Sequence, residues 1–225
     1  MCYDRGCSEE AWSSFSESGQ MRALSFSVML ACCLSFSAAA DEPAKEFSGP
    51  QVGERAVPFS VKGVLGAAAG SEFNLVKGAQ GRPLVIFFLQ EVNRPSVGLA
   101  RLILNYAASR KADELTAGLV LVTADATATE EWIKRAAGAL PGGVPVGISV
   151  DGAEGPGAYG LNRKVQVTVL VVKEDKVTAN FALVQPSIEA DAPKIAAAIV
   201  AAVGSGTPPT VEEMQKLGAS PARRP

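Results

Sequence analysis

The sequence predicts a three-layer α/β fold in which a mixed central sheet is covered on both faces. Residues 84–89 form a continuous apolar run, which is typical of a strand buried on both sides. Helix and strand patterns then alternate as far as residue 150, which indicates parallel strands joined by crossover helices. Two adjoining strand patterns within 165–183 predict an antiparallel hairpin that closes the sheet, and an Ala-rich helix follows them.

The first half of the fold is predicted from apolar spacing. A strand is expected near residues 59–64 and a short one near 73–76, ahead of the buried strand at 84–89. A helix follows, because apolar residues recur at intervals of three and four, and Ser96 is its predicted N-cap. The apolar face of this helix is formed by Leu99, Leu102, Ile103 and Tyr106.

The second half continues the alternation. A strand is expected at 119–123, and Thr127 with Glu130 has the spacing of a capping box that opens the next helix. The apolar face of that helix includes Ile133 and Leu140. The remaining predicted elements are a strand at 144–150, hairpin strands at 165–172 and 176–183, a helix at 187–203 and a short helix capped by Thr210 and Glu213.

The N-terminal region has the features of an export signal. Within residues 21–40, Arg22 precedes an apolar run and three alanines, which predicts a signal peptide cleaved after Ala40. The run is shorter than the ~20 residues that span a bilayer, so a stable membrane span is not expected. Lipidation of Cys32 is a less favoured alternative. The protein is therefore expected to be exported, to the periplasm or the medium.

The sequence divides into five segments. Residues 1–20 are acidic and Ser-rich, unlike a signal peptide, and are interpreted as an over-extended start. The signal peptide at 21–40 is followed by a linker at 41–50. One folded domain is expected at 51–203, and a flexible tail with a short helix at 204–225.

The positions of the cysteines and the lack of histidine exclude several kinds of chemistry. Cys2, Cys7, Cys32 and Cys33 are the four cysteines, all precede the predicted cleavage point, and the chain has no histidine. Disulfide exchange requires a thiolate, and Ser-His-Asp catalysis requires an imidazole base. Zinc sites without cysteine or histidine are very rare. We therefore expect no cofactor and no metal in the processed chain.

Charge balance argues against nucleic acid as a partner. The whole chain carries 21 basic and 23 acidic residues, and the predicted processed chain has equal numbers of each. Binding to a phosphate backbone needs a basic excess, which is missing here. The expected partner is a protein, a peptide or a small anionic ligand, and the oligomeric state stays open.

Three segments carry a resemblance to a known family. Residues 52–59 read VGERAVPF, 75–88 read LVKGAQGRPLVIFF and 173–177 read KEDKV. In this order they resemble the G-x-x-A-P-x-F opening, the L-x-x-x-x-G-K-P-V-V-L-x-F strand and the D-x-x-G-x-V hairpin of the redoxin group. This group includes alkyl-hydroperoxide-reductase/thiol-specific-antioxidant (peroxiredoxin-like) proteins. The likeness covers residues 50–203 and implies a thioredoxin-like three-layer α/β/α sandwich.

Two departures from that family concern its redox site. The family carries C-x-P-C or a peroxidatic cysteine after the buried strand, and the matching residues here are Asn93, Arg94, Pro95 and Ser96. The family's cis-proline matches Val167. A cis bond before a non-proline residue costs ~3 kcal/mol, so we expect a trans bond there. The resemblance therefore implies a redox site that has lost its cysteines.

The degenerate motif is either a capped helix start or a repurposed binding site. A helix N-terminus favours anions, and Arg94 adds a positive charge, so an anionic ligand is conceivable. Tyr159 and Arg163 are expected at the rim, where either is a candidate ligand contact. The segment 151–157 contains two carboxylates but lacks calcium-loop spacing, and a turn is the preferred interpretation.

Two functional hypotheses follow. The favoured one is a binding or structural module that works without thiol chemistry. The alternative is an enzyme: either a redoxin-type thiol-disulfide oxidoreductase or peroxidase that uses thiols of a partner, or a non-redox enzyme that uses Arg94 and nearby carboxylates.

Overall fold

The structure is a computed structural model that describes residues 46–218. The predicted signal peptide, the Cys32 lipidation site and all four cysteines lie outside the described residues. Within 46–218 no helix is both long enough and apolar enough to cross a membrane.

Strands and helices alternate through most of the described chain. The strands are β1 (Val61–Leu65), β2 (Glu72–Phe73), β3 (Leu84–Leu89), β4 (Thr116–Leu121), β5 (Val146–Ser149), β6 (Val167–Lys173) and β7 (Lys176–Leu183). The α-helices are α1 (Leu75–Ala79), α2 (Arg94–Ser109), α3 (Ala126–Arg135), α4 (Ile188–Val203) and α5 (Val211–Gly218).

All of these strands belong to one mixed sheet in the order β2-β1-β5-β4-β3-β6-β7. β3, β4 and β5 run parallel, whereas β1 is antiparallel to β5 and β6 is antiparallel to both β3 and β7. Parallel neighbours require crossover helices, and α2 and α3 supply them. The predicted α/β class with a mixed sheet is therefore confirmed.

β3 lies at the centre of the sheet, and its six residues are all buried. Val85, Phe87 and Leu89 point to one face, where they join a core formed with α2, α3, α4 and α5. The alternate residues point to the opposite face, which is covered by α1 and by irregular chain around residues 56–59 and 156–161. β3 thus contributes to both cores, as its continuous apolar sequence predicts.

Two helix starts differ from their predicted positions. Asn93, not Ser96, caps α2: its side-chain oxygen accepts from the backbone N–H of Ser96 at 2.9 Å. Asp125 caps α3 by accepting from Ala128, so the predicted Thr127–Glu130 capping box does not form. In both cases another residue with strong N-cap preference lies two or three positions upstream and takes the role.

A predicted strand near 73–76 is also corrected. β2 ends at Phe73, and Leu75 begins the short helix α1, because Asn74 caps the amide of Lys77 at 3.0 Å. Leu75 and Val76 are buried from this helix against the second core. A short apolar run fits a strand and a helix turn equally well, and here the cap decides between them.

The C-terminal elements follow the predicted pattern and add a packing contact. Ser187 caps α4, and the capping box between Thr210 and Glu213 is present in both directions, at 2.8 and 3.2 Å. Met214 of α5 is fully buried in the first core. Arg110 at the end of α2 donates to the carbonyl of Ser205 at 2.8 Å and so attaches the intervening segment.

Two glycines provide a matched test of packing around β1. A Cβ at Gly63 would overlap the backbone carbonyl of Ala68, whereas a Cβ at Gly78 in α1 would meet no atom within 4 Å. We expect Gly63→Ala to lower the free energy of unfolding by about 2 kcal/mol. Gly78→Ala is expected to raise it by about 0.5 kcal/mol, because glycine weakens a helix. Urea denaturation measures both, and equal effects of the two changes would contradict the close approach at Gly63.

The free energy of unfolding is expected to depend on pH through the carboxylate of Glu130. Its carboxylate accepts from Lys134 and from Lys62 of β1, each at 2.7 Å, and these contacts lower the pKa of Glu130 from its usual value near 4.5 to about 2. The lowered pKa means that the stabilisation is complete above about pH 4.5 and disappears as the pH falls towards 2.

Glu130→Gln should therefore reduce the urea midpoint at neutral pH, and its difference from the wild type should shrink between about pH 4.5 and 2. Glu131→Gln is the control, because Glu131 is an exposed neighbour that forms no ion pair within residues 46–218. Parallel pH profiles for wild type and Glu130→Gln would exclude this contribution.

Candidate functional site

The candidate site lies where β3 ends and α2 begins. β3 pairs with β6 in a register that places Leu89 opposite Val167, so the end of one strand adjoins the start of the other. Residues 90–93 lead from β3 into α2, and Gln166 precedes β6 beside them. Residues 93–96 and Val167, which the sequence resemblance matches to the family's redox motif and cis-proline, are therefore neighbours.

Asn93 connects these two segments through its side-chain amide. Its oxygen caps α2, and its nitrogen donates to the side-chain oxygen of Gln166 at 2.9 Å and to the carboxylate of Glu91 at 3.2 Å. The amide oxygen and the amide nitrogen of Asn93 therefore both have hydrogen-bond partners. The carbonyl of Gln166 also accepts from the amides of Gln90 and Glu91, at 2.9 and 3.2 Å.

Ser96 faces inward from the first turn of α2. It is fully buried, and its hydroxyl is the one buried side-chain polar atom within 46–218 that has no hydrogen-bond partner. Burial of an unpaired hydroxyl costs about 1–3 kcal/mol. Arg94 and Pro95 are exposed, so the four motif residues divide into an outer pair, an inner serine and the capping asparagine.

A ring of hydrogen bonds lies beside the motif. The backbone N–H of Asn162 donates to the hydroxyl of Ser48 at 3.1 Å, and the hydroxyls of Ser48 and Thr168 are hydrogen-bonded at 2.6 Å. Thr168 donates to the side chain of Gln90 at 3.0 Å, and Gln90 donates back to the carbonyl of Asn162 at 2.7 Å. The ring fixes the start of β6 and the end of β3 to the chain around residue 48.

Sequence reasoning did not identify this ring. Ser48 falls in the predicted linker, although the structure buries it almost completely. Gln90 and Thr168 stand next to or within strongly apolar strands, and a polar residue in such a setting is the one available sign of a buried hydrogen bond.

The two predicted rim residues have different locations. Tyr159 is buried in the second core, where its ring contacts Phe59 and Phe88 and its hydroxyl donates to the carbonyl of Val57 at 2.9 Å. Burial raises the pKa of Tyr159. The structure therefore places Tyr159 in the core and not at the rim.

Arg163 is exposed and forms an ion pair with Glu154. It lines a small polar cleft of about 320 Å³ at the ends of β3 and β4, together with Gln90 and Thr123. Two short 3-10 turns form the nearby loop, Gly152–Glu154 and Gly157–Tyr159, as the turn interpretation predicts. Within residues 46–218 no group of three or more potential metal ligands comes together.

The side chains at the site therefore offer amides, hydroxyls and a few charges. The charged groups beside the motif are Glu91 and Arg94, and Arg163 lies at the adjacent cleft. Such groups hold a ligand by hydrogen bonds and ion pairs, and none of them is a redox-active thiol.

Comparison with known proteins identifies the fold. No family model and no curated protein sequence matches the chain. Among solved structures, one similar protein is proposed to be the thiol:disulfide interchange protein DsbE of Chlorobium tepidum. The TM-score is 0.55 at 18% identity, over 68% of this chain and 99% of that one. A hypothetical protein of Sinorhizobium meliloti gives a TM-score of 0.52 at 21% identity, over 73% of this chain and 93% of that one.

The sheet order, the crossover helices and these likenesses agree with the resemblance seen in the sequence. The protein has a thioredoxin-like fold.

Proposed function

We propose that this protein is an exported thioredoxin-fold module that binds a partner without catalysing thiol chemistry. The observation that carries the proposal is the state of the motif at the start of α2. The sequence resemblance matches Asn93 and Ser96 to the family's two cysteines, and the side-chain amide of Asn93 caps α2 and donates to Gln166. Neither side chain forms a thiolate, a sulfenic acid or a disulfide.

The hydrogen bond between Asn93 and Gln166 supports binding over turnover. It joins the helix cap to the segment before β6, and the ring through Gln90 holds the same two strands from the side. Groups fixed by several hydrogen bonds present a rigid surface, which lowers the ordering cost of binding. Arg94 and Val92 are among the side chains that this arrangement leaves exposed to a partner.

Export is supported by the sequence at residues 21–40. Cleavage of the signal peptide would also remove Cys2, Cys7, Cys32 and Cys33. The processed chain would then have no sulfur except in methionine. The alternative, a thiol-disulfide enzyme, is favoured by the name of the Chlorobium tepidum neighbour. In this chain that alternative would require thiols from the N-terminal cysteines or from a partner.

Redox assays on the full chain test the proposal. We expect no acceleration of insulin reduction by dithiothreitol and no peroxide consumption, in the wild type and in a variant with the four cysteines changed to serine. In that variant, adding Asn93→Cys and Ser96→Cys should create reductase activity. The two positions lie three residues apart in one helical turn, and a helix N-terminus lowers a thiol pKa.

Turnover by the wild type that depends on Asn93, on Ser96 or on the native cysteines would overturn the non-redox proposal. A folded double-cysteine variant without activity would show that the motif is not a former redox site. The control changes Ser109 and Ala112 to cysteine, a pair with the same spacing that joins the last residue of α2 to the 3-10 turn Lys111–Asp113.

Expression of the full chain in a bacterial host tests export. We expect a product outside the cytoplasm that begins at Asp41 and contains no cysteine, as measured by intact mass and N-terminal sequencing. Mutation of Ala38 and Ala40 to bulky residues should block cleavage, because signal peptidase needs small residues there. A mature product that retains a lipidated Cys32 would contradict this assignment.

A further inference from the structure

A groove on the outer side of the motif is lined in part by Asn93 and Arg94. It lies between α2 and α3 and has a volume of about 490 Å³. It shares Gly98 and Arg101 with a second hollow that continues along α2 towards Ile188. The side chains that line it include Val92, Arg94, Val97, Arg101 and Trp132.

The floor of this groove is apolar. Val92 is 46% exposed, and Val97 and Trp132 are half-buried, each packing on the first core with its inner side. Gly98 lines both hollows, and a Cβ there would lie 3.3 Å from Ile188 of the second one. Exposed aromatic and aliphatic groups collected in one concave place indicate a contact surface for a partner.

The rim of the groove is basic. Arg94 and Arg101 are exposed, and within residues 46–218 neither takes part in an ion pair or a side-chain hydrogen bond. They stand two helical turns apart on α2, about 10 Å along its axis. Glu91 is the acidic residue beside the motif, where its carboxylate accepts from Asn93, and it does not line the groove.

We infer that this groove binds an acidic peptide segment with a bulky apolar side chain, a conclusion that rests on the proposed function and names its class of partner. Arginine pairs bidentately with carboxylates, and two free arginines call for two of them. Carboxylates four residues apart in an extended peptide lie on the same face, about 13 Å apart, and the long side chains of two arginines about 10 Å apart can reach both of them. An apolar residue between them fills the floor against Trp132, as interface anchors do.

Fluorescence polarisation with labelled peptides tests the inference on the full chain. The probe is Glu-Asp-Leu-Phe-Glu-Asp, and two comparison peptides replace its acids by lysine or its Leu-Phe by Ser-Ser. We expect saturable binding of the probe that weakens with added salt, and at least tenfold weaker binding of both comparison peptides.

Variants locate the binding surface. Arg94→Ala and Arg101→Ala should each reduce affinity for the probe by about tenfold, and Val92→Asp by at least as much. Arg55→Ala is the control for the loss of one positive charge, because Arg55 is 77% exposed, lies 4.0 Å from the carboxylate of Asp175 and adjoins Lys176 of the edge strand β7. Val92 and both groove arginines are exposed, so these changes should leave the folded structure intact.

Three outcomes would overturn the inference. They are equal binding of the acidic and basic peptides, binding that is insensitive to Arg94 and Arg101, and no probe binding together with a dimer that Val92→Asp dissociates. The last outcome would assign the groove to a second copy of the chain. None of them bears on the redox assays, which test the proposed function separately.

Discussion

The antiparallel register between β3 and β6 is the constraint on which the candidate site depends. With Leu89 opposite Val167, the residues after β3 meet the residue before β6, and Asn93 comes within hydrogen-bond distance of Gln166. A shift of one residue would exchange the two faces of β3 and move Phe87 and Phe88 into the wrong cores. Burial of β3 on both faces therefore fixes the site, although no residue of β3 belongs to it.

The polar side chains around the site differ in whether they have hydrogen-bond partners. In the ring through Ser48, Thr168, Gln90 and Asn162, each donor has an acceptor, and such closed networks hold their members in one arrangement. Ser96 is the exception, because its buried hydroxyl has no partner. A thiol there would be a weaker donor and acceptor, and its burial would cost less.

Sequence alone predicts the central elements because their signals are local. The bounds of β3 and the capping box of α5 depend only on neighbouring residues, and both are confirmed. Asn93 and Ser96 are both good N-caps, and Asn93 gains a further bond to Gln166, which is 73 residues away in the chain. No local pattern contains that contact.

The site itself was only partly predictable for the same reason. The family resemblance locates the motif at the start of α2, where the structure also has it. It does not reveal that Ser48, in a segment that resembles a linker, closes a hydrogen-bond ring with residues of β6 and β3. Tyr159 was expected at the rim because of its place in the chain, yet its ring packs against the rings of Phe59 and Phe88, which also contact each other. Burial of an aromatic side chain depends on what other segments leave open.

The side of the motif that faces β6 and the side that faces α3 differ in how many of their groups already have partners. This difference favours the α3 side as the place where a partner binds. On the side that faces β6, the amides and hydroxyls are hydrogen-bonded to one another. A ligand on that side would have to break these hydrogen bonds. Towards α3, the apolar floor around Val92 and the charges of Arg94 and Arg101 are still exposed to water. A partner gains free energy where apolar surface and uncompensated charge are covered together. Rigidity on the inner side then assists binding on the outer side, since a fixed surface loses little conformational entropy when it is occupied.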